Sequence, residues 1–249
     1  MAKQEQIYQI PVNDAFGQKE HCPLCVLRKE LEDNFIDFYL GPSLMEADHR
    51  LVTNKKGFCH KHLLKLYDSQ KNRLGLGLML HTHLLDLGPD VEKILETSTP
   101  KDEKRKLFSK ETDWKTNLQK AAQQIAERAQ SCTICDRIEE TMNRYREVIF
   151  YQYVHDEDFR KTLQTGQGFC LDHLAYLVEG ASLYLKRDQA KLFMEDLYRI
   201  HKPILDTLAG DVEWFTLKFD YRNQDAPWKN AKDALPRAIH RISGDDLHE

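Results

Sequence analysis

The sequence has no long apolar run. Its best stretch, Leu74 to Leu87, is interrupted by Gly75, Gly77, His81, Thr82, His83 and Asp86, whereas a bilayer span needs roughly 20 mostly apolar residues. No membrane segment is expected. The opening MAKQEQIYQIPVNDAF also lacks an apolar stretch of signal-peptide type, so the expected location is cytoplasmic. There is no excess of one charge: 36 Lys and Arg stand against 40 Asp and Glu, a net charge of −4. That balance provides no general electrostatic reason to bind nucleic acid or an anionic membrane. The expected partner is a protein, which the sequence does not identify. Catalytic signatures are missing as well. HExxH, GxSxG, GxxxxGK[ST] and GxGxxG do not occur, and Gly75-Leu76-Gly77 lacks both a third glycine and a preceding strand. No catalytic residue is nominated, and a non-enzymatic protein is expected.

Cysteine is scarce, at six residues, but its placement is ordered. Cys22-Pro23-Leu24-Cys25 is followed by Gly57-Phe58-Cys59-His60-Lys61-His62. Cys132-Thr133-Ile134-Cys135 is followed by Gly168-Phe169-Cys170-Leu171-Asp172-His173. Every cysteine is used. The second and third cysteines lie 34 residues apart in one set and 35 in the other. At an offset of 110, Leu24 matches Ile134, Phe35 matches Tyr145, Asp48 matches Asp158 and Arg50 matches Arg160. One inserted residue then brings the two GFC segments into register. An internal repeat of this kind reads as a duplication, with halves expected to be related by a pseudo-twofold axis.

In a cytoplasmic chain thiols are kept reduced, so a disulfide framework does not explain the pattern. Metal binding does. Zinc takes four tetrahedral ligands and favours thiolate and imidazole. Residues three apart reach one ion from a tight turn or the first turn of a helix. Each half would thus supply Cys3His: Cys22, Cys25, Cys59 and His62 in the first, and Cys132, Cys135, Cys170 and His173 in the second. Such a shell has no open position and marks a structural site. His60 lies beside Cys59, but its counterpart is Leu171, so the repeat selects His62. His21 is a candidate neighbour of the first site. His49 and His155 do not align, and His81 and His83 point apart on a helix. The expected cofactor is two Zn2+ per chain, with an iron–sulfur cluster as the alternative that thiolate-rich sites also suit.

Periodicity predicts an all-α fold. Leu24, Leu27, Leu31, Phe35 and Phe38 recur at three and four, as do Ile134, Ile138, Met142, Tyr145 and Ile149. Gly41-Pro42 should end the first of these helices. Each GFCxxH should open another. Asn72 to Leu87 reads as a helix whose glycines admit a close neighbour, and Ala181 to Ile200 as one stopped before Pro203. Ile7 to Val12 suggests extended chain, and Phe215 to Tyr221 is compatible with a strand. The expected organisation is a first repeat over 1–95, a polar linker over 96–107, a second repeat over 108–209, and a C-terminal arm over 210–249 packing on the repeats. Arginines of that arm are expected to pair with carboxylates such as Asp48 and Asp158.

The chain resembles an uncharacterised bacterial family with tandem CxxC and GFCxxH units. The resemblance rests on Ile10–Asn13, Cys22–Cys25, Thr53–His62, Asn72–His83, and the FDYR…PW…KDALPRAI element over Phe219–Ile239. It covers nearly the whole chain and implies bacterial origin and the same metal ligands. It implies no activity. The leading expectation is therefore a metal-binding protein-interaction scaffold. The alternatives are a thiol-based redox or metal sensor and an iron–sulfur electron-transfer protein.

Overall fold

Residues 5–18, 22–100 and 113–244 are described in this computed structural model. Among them there are eleven α-helices and no strand. No helix is long and apolar enough to cross a membrane. By contact the chain divides into two compact units: Met1–Glu30 with Glu140–Glu249, and Leu31–Glu139. The units do not follow the repeats. The first copy's CxxC shares a unit with the second copy's GFCxxH, and the reverse holds for the other unit.

Two long helices open at the CxxC motifs, α2 (Pro23–Leu40) and α7 (Thr133–His155). As expected, α2 stops before Gly41-Pro42. The unit of residues 31–139 continues with α3 (Ala47–Lys56), α4 (His60–Asp68), α5 (Arg73–Ser98) and α6 (Asp113–Gln130). Asn72 caps α5 by accepting from the Gly75 amide at 2.8 Å. Gly75 allows a close approach, since a Cβ there would lie 2.4 Å from Leu44; Gly77 faces open space and has no such use. The helix passes through Pro89 to Ser98, beyond the expected end. Arg50 ties α3 to α5 by donating to the Leu78 carbonyl (3.1 Å) and the Thr82 hydroxyl (2.6 Å). Arg128 of α6 pairs with Asp90 of α5. Residues 101–107 of the expected linker lie outside the described residues.

The other unit holds α1 (Glu5–Gly17), most of α7, α8 (Glu157–Gln164), α9 (Leu171–Tyr184), α10 (Arg187–Leu217) and α11 (Ala234–Ser243). Three expectations fail here. The N-terminal segment is helical, not an extended arm, because Val12, Ala15 and Phe16 are its buried residues, at helical spacing. Ile7 and Ile10, which suggested a strand, are exposed. Pro203 does not stop α10. The chain breaks instead at Leu185–Lys186, both in extended conformation. The buried face Phe193, Leu197, Ile200, His201 and Leu208 continues past the proline, and its burial offsets the lost hydrogen bond. Finally, the aromatic segment after Gly210 completes α10 and forms no strand up to Leu217.

Buried Asp196 organises this unit, accepting from Tyr153 (2.8 Å), Gln164 (2.9 Å) and Arg160 (3.3 Å). The C-terminal arm is fastened within the same unit. Lys218 Nζ donates to the carbonyls of Asn223, Gln224 and Ala226 at 2.6–2.7 Å, and Trp214 Nε1 donates to Pro227 at 3.0 Å. Its arginines pair locally rather than with Asp48 or Asp158: Arg222 with Asp220, and Arg237 with Asp211 and Asp233. Asp158 pairs with Lys161.

Candidate metal centres

Each metal-binding candidate pair lies at a helix start. Cys59 and Cys170 are the N-cap residues of α4 and α9, and His62 and His173 follow three residues later. Cys22 and Cys132 immediately precede α2 and α7, with Cys25 and Cys135 three residues on. In all four, the first cysteine's carbonyl accepts an amide of the first turn, as in Leu63 to Cys59 at 2.9 Å and Leu174 to Cys170 at 2.8 Å. Side chains at these two positions project together at the helix end, where the amides leave partial positive charge that favours thiolate.

The preceding Gly-Phe sets the angle of entry. Gly57 has φ 64° and Gly168 φ 71°, a left-handed conformation that favours glycine. Phe58 then packs edge-on against Tyr39, and Phe169 stacks on His201. A Cβ on Gly57 would lie 2.4 Å from the His83 ring, whose Nδ1 donates to the Asn54 carbonyl at 2.6 Å. The Gly57 carbonyl in turn accepts from both the amide and the hydroxyl of Thr133, each at 3.0 Å. That contact brings the second CxxC to the first GFCxxH.

The eight residues converge in two groups, crossed between the copies. Cys22 and Cys25 meet Cys170 and His173, while Cys59 and His62 meet Cys132 and Cys135, with donor atoms within 4.8 Å in each group. The expectation that each repeat closes its own site is corrected. Within a repeat the two pairs belong to different units. In the first group Nδ1 of His173 lies 3.5, 3.3 and 3.2 Å from the sulfurs of Cys22, Cys25 and Cys170, and the sulfurs of Cys25 and Cys170 are 3.6 Å apart. In the second, Nδ1 of His62 lies 3.3, 3.1 and 3.4 Å from Cys59, Cys132 and Cys135, and the sulfurs of Cys59 and Cys135 are 3.7 Å apart. A tetrahedral zinc with bonds of about 2.3 Å to sulfur and 2.0–2.1 Å to nitrogen has edges of about 3.5–3.8 Å. The sulfur–sulfur separations of 3.6 and 3.7 Å fall within these edges and the nitrogen–sulfur separations of 3.1–3.5 Å at or just short of them, close to what one central ion requires. All are far longer than a disulfide bond of about 2.05 Å. The cysteines are free.

The donors share protons unevenly. Burial would lower His62, but hydrogen bonds to Cys132 and Glu32 raise it to about 9. His173 rises to about 9 against the same burial, through Cys170 and Cys22. Burial would raise Cys132, yet the bond from His62 brings it down to about 6. Hydrogen bonds from Cys22 and Cys25 pull Cys170 well below a normal thiol. Cys25 is pushed up by its bond to Cys170, and Cys135 chiefly by burial. Four donors packed this closely cannot all lose their protons without a cation between them. The donor chemistry therefore fits a divalent metal.

The surroundings of the two groups differ. His62 Nε2 donates to buried Glu32 at 3.0 Å, and Glu32 also pairs with Lys65 and, at 3.5 Å, with Lys61. Burial opposes ionisation of Glu32, but these partners hold it down to about 2. Near the first group, Arg241 donates to the carbonyls of Phe169 (2.8 Å) and Gln167 (2.7 Å), close enough to feel the charge of Cys22, Cys170 and Cys25.

The sequence profile of a family of unknown function, DUF6062, matches residues 3–249. The chain belongs to this family. No curated protein and no solved structure matches.

Membership leaves the site to be read from its own residues. The spacing of the cysteines and histidines singled out the eight residues that the structure gathers into these two groups, and the repeat selected His62 over His60, which is exposed. It missed Glu32 and Arg241. Glu32 had a signal: at the offset of 110 it matches Met142, an apolar residue within the same buried stripe. Arg241 had none, being over 60 residues from the nearest donor. His21 lies outside the described residues. His49 packs on Phe38 and pairs with Glu46, and His155 packs on Tyr151.

Proposed function

We propose that this DUF6062 protein binds two zinc ions in closed structural Cys3His sites and acts as a non-enzymatic, cytoplasmic scaffold for a protein partner. The observation that carries this reading is the meeting, twice, of three thiols and one imidazole nitrogen at separations close to tetrahedral. Four protein donors leave no coordination position for substrate or activated water, which favours a structural role over a catalytic one. Each ion would join two helix N-termini from distant parts of the chain, so its binding energy is folding energy. Three thiolates and a neutral imidazole on Zn2+ carry one net negative charge. The helix ends, and Arg241 at the first site, offset it. The sensor alternative draws on the accessibility of the second site.

The test is metal content per chain, with a visible spectrum, on untagged protein purified without oxygen. Two zinc ions and no visible absorption are expected. Iron with acid-labile sulfide would overturn the zinc assignment in favour of electron transfer. Fewer than two metals per chain would overturn the two-site reading.

A further inference from the structure

The two groups differ in access to solvent. In the first, Cys22, Cys25, Cys170 and His173 are 2%, 4%, 1% and 8% exposed, respectively. It is covered by the end of α11: a Cβ on Gly244 would lie 3.5 Å from both the Cys170 and Cys25 sulfurs. Arg241 of the same helix is fastened to the Gly168 turn through the flanking carbonyls of Gln167 and Phe169. In the second group His62 and Cys132 are buried, but Cys59 is half-buried and Cys135 is at least as open. The residue after Cys135, Asp136, lies at the surface in an ion pair with Lys56. Cys59 and Cys135 are thus the accessible donors, and their sulfurs are neighbours at 3.7 Å.

We propose that the second group is a peroxide-responsive site, in which Cys59 and Cys135 join in a disulfide and the metal is released, while the first group keeps its metal. This rests on the two-metal reading. Metal-bound thiolates remain nucleophiles toward peroxide where they can be reached. The Cys135 thiolate attacks one peroxide oxygen, the O–O bond breaks, and the departing hydroxide takes a proton to become water. Cys135 is then a sulfenic acid. The Cys59 thiolate attacks its sulfur, the S–S bond forms, and the hydroxyl leaves as a second water after taking up another proton. Two thiolates, one hydrogen peroxide and two protons become one disulfide and two waters. The sulfurs must close from 3.7 Å to about 2.05 Å. Two of four donors are consumed, leaving only Cys132 and His62 to hold the ion. Cys132 is the weaker candidate for resolution because it is buried, whereas Cys59 is half-buried.

The experiment uses the full chain, first shown to carry two zinc ions, treated with hydrogen peroxide. A chromophoric chelator follows zinc release, and peptide mass spectrometry locates the disulfide. One zinc per chain should leave at least tenfold faster than the other, with Cys59 linked to Cys135, and dithiothreitol with zinc should restore it. Release of both ions together, earlier oxidation of Cys22, Cys25 or Cys170, a Cys132–Cys135 link, or no release would each overturn the proposal while leaving the two-zinc reading intact. A starting stoichiometry below two would overturn both.

Discussion

His62 is held between a carboxylate and a thiol cluster: its Nε2 donates to Glu32 at 3.0 Å while its Nδ1 lies 3.1 Å from the Cys132 sulfur. This is the arrangement in which a carboxylate fixes the tautomer and raises the basicity of a metal-binding histidine. The matching position for the other cluster is Met142, whose thioether cannot accept in the same way.

Glu32→Gln should therefore weaken metal binding about 10–100-fold at one site only. Competition with a chelator of known affinity would then resolve one weakened and one unchanged ion. Equal weakening of both, or of neither, would contradict the role given to Glu32.

Metal stoichiometry of double variants tests the crossing. Cys22→Ser with Cys170→Ser damages a single site, so one metal per chain should remain. Cys22→Ser with Cys59→Ser damages both, so none should remain bound tightly. Pairing within each repeat would reverse these two results.

Gly57→Ala should destabilise the fold. The new side chain would adopt φ 64° and meet the His83 ring at 2.4 Å. Backbone strain of this kind costs about 1–3 kcal/mol. Gly168→Ala has similar strain, but its nearest contact would be 3.2 Å, so its cost should be smaller. Urea unfolding of the metal-loaded chains would rank the two; a neutral Gly57→Ala would refute the account of the turn.

Metal binding should release protons. In the metal-free chain His62 and His173 are raised from 6.5 to about 9. Their contribution to stability is complete below pH 6.5 and lost as pH rises through 9. Glu32, lowered from 4.5 to about 2, contributes above pH 4.5 and loses this as pH falls through 2. At pH 7.5 both imidazoles must give up a proton to bind metal, so at least two protons per chain should be released, with more from the thiols. Calorimetry in buffers of different ionisation enthalpy measures this number, and a value near zero would contradict the raised proton affinity of the two imidazoles.

Much of the site was legible because it is local. Two donors three residues apart at a helix start need only the turn before them, and Gly-Phe specifies that turn. The α2 and α7 helices were legible for the same reason, through their apolar spacing and the Gly41-Pro42 stop. The N-terminal helix was misread because Ile7 and Ile10 resemble a strand face until Val12, Ala15 and Phe16 are seen to be the buried set. Pro203 was misread because a proline's local cost is visible in sequence, whereas the burial of Ile200, His201 and Leu208 on either side of it is not.

The sequence by itself singled out the eight candidate donors, their grouping in pairs, and their places at four helix starts. Only the tertiary structure decided which pair meets which. Each pair provides half of a tetrahedral shell, and the two CxxC pairs offer the same atoms in the same geometry. Nothing local to Cys22 and Cys25 distinguishes Cys59 and His62, nearby in sequence, from Cys170 and His173, more than 140 residues away. That choice belongs to long-range packing: the Thr133–Gly57 contact at one cluster and the α11 cover at the other.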